Sequence, residues 1–214
     1  MQLIGMLDSP YVRRVAISLQ LLGLDFEHRS VSVFSGFAQF QAINPVVKAP
    51  SLVCDDGTVL MDSTLILDYA EALAAQSTGR SLMPADLPAR LQALRIIGLA
   101  MAACEKSVQI VYEHMLRPAD KLHEPWLQRV TGQLLAAYAA LEAELAKRPL
   151  ASGSQALGQD GVGVGIAWTF TQAMLPGVVQ PATHPALSAF SAKVEQLPEF
   201  SAAPHSDRTW RKTT

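Results

Sequence analysis

The hydrophobic pattern changes character partway along the chain. Up to about Ala75, short apolar runs alternate with helical periods; beyond about Ala89 nearly everything is helical. Leu3 to Met6 reads as a short buried strand. Ser9-Pro10 then opens a helix, with Ser as N-cap and Pro in the first turn, where its missing N–H costs nothing. Val12, Val15, Ala16, Leu19 and Leu22 keep helical spacing, and Gly23 supplies the C-cap. Phe26, His28, Ser30 and the valines at 31 and 33 predict a second strand, so the unit is a right-handed parallel crossover. A loop carrying Phe34, Phe37 and Phe40 follows. Pro50 opens a hairpin whose turn is Asp55-Asp56-Gly57, and a helix runs from Ser63 to Ala75 with Asp62 or Ser63 as cap.

The span from Gln76 to Pro88 holds Gly79, Pro84 and Pro88 and reads as a linker. After it come helical runs at 89–115, 126–145, 161–174 and 185–197, with no repeat of fixed period. The division expected is an α/β domain over 1–77, a linker over 78–88 and an all-helical domain over 89–214.

Pro50 bears most directly on function. Proline gives no N–H to a sheet ladder and belongs at a strand's first residue or on an edge. Two readings stand. A trans proline simply starts the strand; a cis bond turns the backbone before it outward, so that Ala49 offers its N–H and C=O to an extended peptide. Only about 5–6% of X–Pro bonds in folded proteins are cis, which alone favours the first.

Composition narrows the class. With 214 residues, half of them hydrophobic and 17% charged, the chain is globular and builds a sizeable core. A formal net charge of −2 gives no footprint for nucleic acid or an anionic membrane. Cys54 and Cys104 lie in different predicted elements, which suits neither a disulfide framework nor a metal site and fits a reducing compartment. Met1-Gln2-Leu3-Ile4-Gly5 lacks the basic segment of a secretion signal, and no apolar run is read as long enough to span a bilayer. The expectation is a soluble cytoplasmic protein.

Three motifs stand in order: Ser9-Pro10-Tyr11-Val12-Arg13-Arg14, Asn44-Pro45-Val46-Val47-Lys48-Ala49-Pro50, and Asp62-Ser63. They resemble the S-P-[FY]-x-R-[RK] opening, the N-P-x-x-K-x-P loop with its cis proline, and the [ED]-S pair of bacterial cytosolic glutathione transferases. The resemblance spans essentially the whole chain and implies a thioredoxin-like α/β N-terminal domain followed by an all-α helical-bundle domain. One departure is visible near Trp168. Family members commonly open that helix with a Ser/Thr-x-x-Asp capping box, whereas Gly158 and Gly161 stand here with Asp160 between them. Gly163 and Gly165 each weaken the helix by roughly 0.5–1 kcal/mol relative to Ala. Its cap bonds must come from elsewhere, the Asp160 carboxylate being the candidate.

The resemblance implies glutathione as co-substrate, no metal, and conjugation of the glutathione thiolate to small hydrophobic electrophiles. A free thiol with a pKa of about 8.5 is mostly protonated at neutral pH. Ser9 would donate a hydrogen bond to the sulfur, and the positive end of its helix favours an anion there; the plainer role of Ser9 is to cap the helix. Ser9 stands at the first-cysteine position of a thioredoxin-type site and Val12 at the second, which argues against disulfide-exchange chemistry. Ala49, before Pro50, would pair with the cysteinyl unit by strand addition. Ser63 and its helix start would hold the γ-glutamyl carboxylate, and Asp62 the γ-glutamyl ammonium. Lys48 either pairs with the glycyl carboxylate or is a solvated loop residue. Arg13 reaches a carboxylate or a helix C-terminus of the second domain. Tyr11, Met101, Tyr112, Met115 and Trp168 are candidates for an electrophile pocket between the domains, although Met and aromatic residues at helical spacing are usually core. Phe34 reads as core packing; His114 and His123 read as surface.

Two other readings remain open: a zeta-like glutathione-dependent isomerase, ranked lower because Asp8-Ser9-Pro10-Tyr11 replaces the Ser-rich zeta opening, and a non-catalytic glutathione-binding stress or regulatory protein. The partners implied are glutathione, a small electrophile and a second copy in a homodimer, with neither nucleic acid nor membrane.

Overall fold

A computed structural model describes residues 1–206. The chain runs β1 (Gln2–Ile4), α1 (Pro10–Leu22), β2 (Glu27–Arg29), α2 (Phe37–Ile43), β3 (Ser51–Val53), β4 (Val59–Met61) and α3 (Ser63–Ser77). Then come α4 (Leu87–Leu116), α5 (Glu124–Lys147), α6 (Gln159–Met174), α7 (Pro185–Val194) and α8 (Pro198–Ala202). They pack as two units, one of residues 1–83 with the segment from Gln196 on, the other of residues 84–195. The part of the expected helical domain beyond residue 206 lies outside the described residues.

In the first unit the sheet order is β2-β1-β3-β4. Parallel pairing sets Leu3 opposite His28, and antiparallel pairing sets Leu3 opposite Leu52 and Leu52 opposite Leu60. This is the thioredoxin-like order expected of a βαβ unit and a hairpin. Ser9 caps α1, and Gly23 closes it at φ 71°, where glycine carries no steric cost. Helices α1 and α3 pack together. The loop expected around Phe37 is instead the helix α2. Its seven residues are too few for periodicity to register, and only Phe40 is buried, packed with Ile4 and Val31. Burying that ring contributes about 1.5–3 kcal/mol. Phe34, expected in the core, is 55% exposed, and Phe40 is the aromatic ring of this segment that is buried.

The segment from Gln196 packs with the first unit rather than with the preceding helices. Arg13, 1% exposed, lies over the Phe200 ring at 5.4 Å and donates from Nε to the Ala203 carbonyl at 2.7 Å. It therefore serves a helix C-terminus, as one of its two expected roles required, but that helix, α8, belongs to the first unit.

In the second unit α4 packs on α5 and α6, and α7 on α5 and α6. A hydroxyl network joins three of these helices: Ser107 Oγ lies 2.7 Å from Thr171 Oγ1, and the Tyr138 hydroxyl donates to Ala167 O at 2.8 Å and lies 2.6 Å from Thr171 Oγ1. Burial pushes the Tyr138 phenol far above its ordinary pKa, so it stays neutral. At α6 the missing box is replaced in part: Asp160 Oδ1 accepts from the Gly161 N–H at 2.8 Å. A Cβ at Gly161 would run into the Leu157 side chain in the preceding loop and lie 3.3 Å from Phe190, so tight packing at the start of α6 explains that glycine. The Glu142 carboxylate on α5 accepts from the Ala186 and Leu187 N–H groups at 2.8 and 2.9 Å and so caps α7. By length and composition alone α4 would suffice to cross a bilayer, contrary to the sequence reading. Its Ala93, Ile96, Ile97, Ala100, Ala103 and Cys104 are buried against the other helices, which accounts for its apolar character.

Candidate functional site

The first unit holds a network of three parts, the start of α1 with Ser9, the loop of Lys48, Ala49 and Pro50, and the start of α3 with Asp62 and Ser63, joined through neighbouring residues. Gly5, between β1 and α1, links the first two of its parts. At φ 135° it suits glycine, and a Cβ there would lie 2.6 Å from Val12 Cγ2 and 3.2 Å from Ala49 Cβ. The first turn of α1 and the residue before Pro50 thus meet over a backbone with no room for a side chain. His28 fixes this crossing. Its Nε2 lies 2.7 Å from Gly5 O, and because a carbonyl only accepts, Nε2 carries the proton. Burial lowers the His28 pKa, the Gly5 bond opposing only part of the shift.

Ser9 Oγ accepts from the Val12 N–H at 3.5 Å, the long limit of a hydrogen bond. The hydroxyl proton is directed elsewhere, and α1 has no acidic side chain in its first turn to occupy the positive end of its dipole. An anion placed against this helix start finds both a donor and a favourable field.

The Ala49–Pro50 bond is cis. Before it, Val47 holds φ 52°, unusual for a β-branched residue. Asn44, 4% exposed, braces the loop. Its Oδ1 accepts from the Val46 N–H at 3.0 Å, and its Nδ2 donates to Ser51 Oγ at 2.8 Å, which in turn donates to Lys48 O at 2.8 Å. Pairing of β3 with β1 begins at Ser51, opposite Ile4. The Ala49 amide therefore lies between a loop bonded to Lys48 O and a ladder that starts two residues on. An extended chain has an edge to join there.

At the start of α3, Asp62 holds φ 72°, outside the range most side chains adopt, and its Oδ1 accepts from the Thr64 N–H at 2.9 Å. Its Oδ2 lies 3.5 Å from Lys48 Nζ, with both side chains about half exposed. Ser63 is 3% exposed, and its Oγ accepts from Arg14 Nη1 at 3.3 Å. Arg14 and Asn44 stood in the sequence motifs without a role. The Asn-Pro pair signalled a side-chain-closed turn; nothing in the sequence marked a buried guanidinium beneath α3.

Of the remaining candidates, Tyr11 lies on α1 and the others lie in the second unit. Tyr11 is half-buried in the first turn of α1. Trp168 is 6% exposed and packed edge-on to Tyr138 at 5.5 Å and tilted to His184 at 5.9 Å. Met101 is half-buried beside Gly163, while Tyr112 and Met115 are 44% and 70% exposed on α4. His114 and His123 are exposed.

The model of the glutathione S-transferase N-terminal domain matches residues 3–78. The chain is 32% identical to the uncharacterized GST-like protein YibF of Escherichia coli K12 over 60% of its own length and 62% of that protein's. It is 29% identical to a zeta-class glutathione S-transferase of Euphorbia esula over 86% of this chain and 75% of that one. Among solved structures, a glutathione transferase family member of Pseudomonas fluorescens Pf-5 with bound S-(propanoic acid)-glutathione is 30% identical. It superposes with a TM-score of 0.78, covering 95% of this chain and 98% of that one.

Proposed function

The chain belongs to the glutathione S-transferase family, and from that premise we propose that it conjugates the thiolate of glutathione to small hydrophobic electrophiles. The observation that carries this reading is the network just described. The start of α1, the Ala49–Pro50 edge and the start of α3 are tied together through Gly5, the Lys48–Asp62 pair and the Arg14–Ser63 bond. In this reading the cysteinyl main chain pairs with Ala49. Ser63 and the first N–H groups of α3 take the γ-glutamyl carboxylate, Asp62 takes the ammonium, and Lys48 takes the glycyl carboxylate. Lys48 and Asp62, which pair with each other, then exchange that contact for the opposite charges of the tripeptide.

The thiol proton leaves to solvent. The sulfur stays anionic because the Ser9 hydroxyl donates to it at the positive end of α1. Its lone pair forms the new C–S bond as the leaving group departs with the electrons of the broken bond. Ser9 never ionises. Retention of the wild-type protein on immobilised glutathione, together with turnover of an aryl halide, tests the proposal; lack of retention overturns it.

The zeta-class relative, matched over most of the chain, favours one second reading, a glutathione-dependent isomerase. There the same thiolate adds to a conjugated double bond and leaves after rotation. Turnover of maleylacetoacetate without net loss of glutathione would select that reading over conjugation.

The proposal includes a two-fold homodimer. Each unit carries an exposed apolar stripe: Leu87, Leu91 and Leu94 on one face of α4, and Leu65 with Tyr69 on α3. The cytoplasm is the proposed compartment, in keeping with two buried cysteines that form no disulfide.

A further inference from the structure

We propose that Arg14 is a positioning residue that turns the Ser63 hydroxyl into a preset donor for the α-carboxylate of the γ-glutamyl group. The inference rests on the glutathione reading given above. Arg14 lies on α1 and is 2% exposed, and its Nη1 donates to Ser63 Oγ at 3.3 Å and to Thr64 Oγ1 at 3.1 Å. One nitrogen, with two hydrogens, thus holds the first two side-chain oxygens of α3.

A guanidinium has no acceptor, so a serine hydroxyl facing it can only accept. The Ser63 proton is thereby turned away from the core. An α-carboxylate arriving at the start of α3 meets an oriented O–H beside the Ser63 N–H, without first having to reorder a rotor. The Thr64 N–H is already committed to Asp62 Oδ1, so the carboxylate is met at the Ser63 N–H and hydroxyl. Arg14 also joins the two helix starts the reaction uses, because the helix it rides on is the one Ser9 caps.

A lysine at this position keeps the charge on a flexible stem, without the planar group that aims one nitrogen at both oxygens, so it fixes the Ser63 rotor poorly. The test compares glutathione with its analogue lacking the γ-glutamyl α-carboxylate, 4-aminobutyryl-cysteinyl-glycine, by calorimetric titration of wild type, Arg14→Lys and Arg14→Gln. Thermal melts show which variants fold, and two variants keep the comparison open if one does not. The expected result is a loss of roughly tenfold in glutathione affinity, as for one weakened hydrogen bond to a charged group, with less than about a twofold change for the analogue. Equal losses for both ligands, as a merely structural role gives, or no loss for either, overturn the Arg14 assignment while the wild-type protein still binds glutathione. A wild-type protein that does not bind glutathione overturns the reading beneath it.

Discussion

Replacing Ser9 by Ala separates its two possible duties, capping α1 and holding a sulfur anion, because the structure makes one of them weak. The cap bond to the Val12 N–H is 3.5 Å long. Losing it costs the helix about 0.5 kcal/mol, at the low end of cap substitutions, and lowers the melting temperature by roughly 1–2 °C for a chain of this size. A hydrogen bond to a charged group is worth about 1.5–3 kcal/mol, or roughly 1–2 pKa units on the bound thiol. At a pH about one unit below the wild-type thiol pKa, the thiolate fraction in Ser9→Ala should therefore fall roughly 10- to 100-fold, and kcat/KM for an aryl halide with it. The assay is ultraviolet absorbance of the thiolate in the glutathione complex across pH, run beside the pH–rate profile and a thermal melt. The reasoning is refuted if the bound thiol titrates at the same pH in both proteins, or if activity falls only in proportion to lost stability.

Other outcomes follow from named contacts. His28 is held neutral by burial, with a folded pKa below its ordinary 6.5. Between those two values the unfolded chain binds more protons, so stability rises with pH there and is lost as pH falls below about 6.5. In His28→Gln, whose amide can still donate to Gly5 O, the slope of urea midpoint against pH should flatten below about pH 6.5. Tyr138→Phe removes two hydrogen bonds within the second unit and should cost about 1–3 kcal/mol in urea unfolding, since Ser107 and Thr171 retain only each other. Leu91→Arg, on the exposed face of α4, should leave a folded monomer by light scattering where the wild-type protein is a dimer; an unchanged dimer rejects that face as the interface.

The parts of the fold legible in the sequence were those whose signals are local. Ser9-Pro10 and Gly23 bounded α1 at both ends, and Pro50 with Asp55-Asp56-Gly57 outlined the hairpin. Helix α2 escaped notice because a single residue, Phe40, faces the core, and one buried position has no period. The return of the chain to the first unit after Gln196 brings Ala203 to Arg13, a partner 190 residues away. Long-range partnership also hid the brace at Asn44 and the role of Arg14. Their residue types were visible, but whether a buried guanidinium meets a hydroxyl or a carboxylate is decided by packing between helices. The motifs named Ser9, Ala49 and Ser63, and Gly5, which no motif included, is where the helix that Ser9 caps comes close to Ala49.

The central claim is that glutathione lies along the Ala49 edge with its sulfur at the start of α1. A crystal structure of the protein with glutathione tests it most directly. The account predicts cysteinyl N–H and C=O groups paired with the main chain of Ala49, and the sulfur within hydrogen-bonding reach of Ser9 Oγ. A tripeptide bound along another edge, or a sulfur turned away from Ser9, contradicts it.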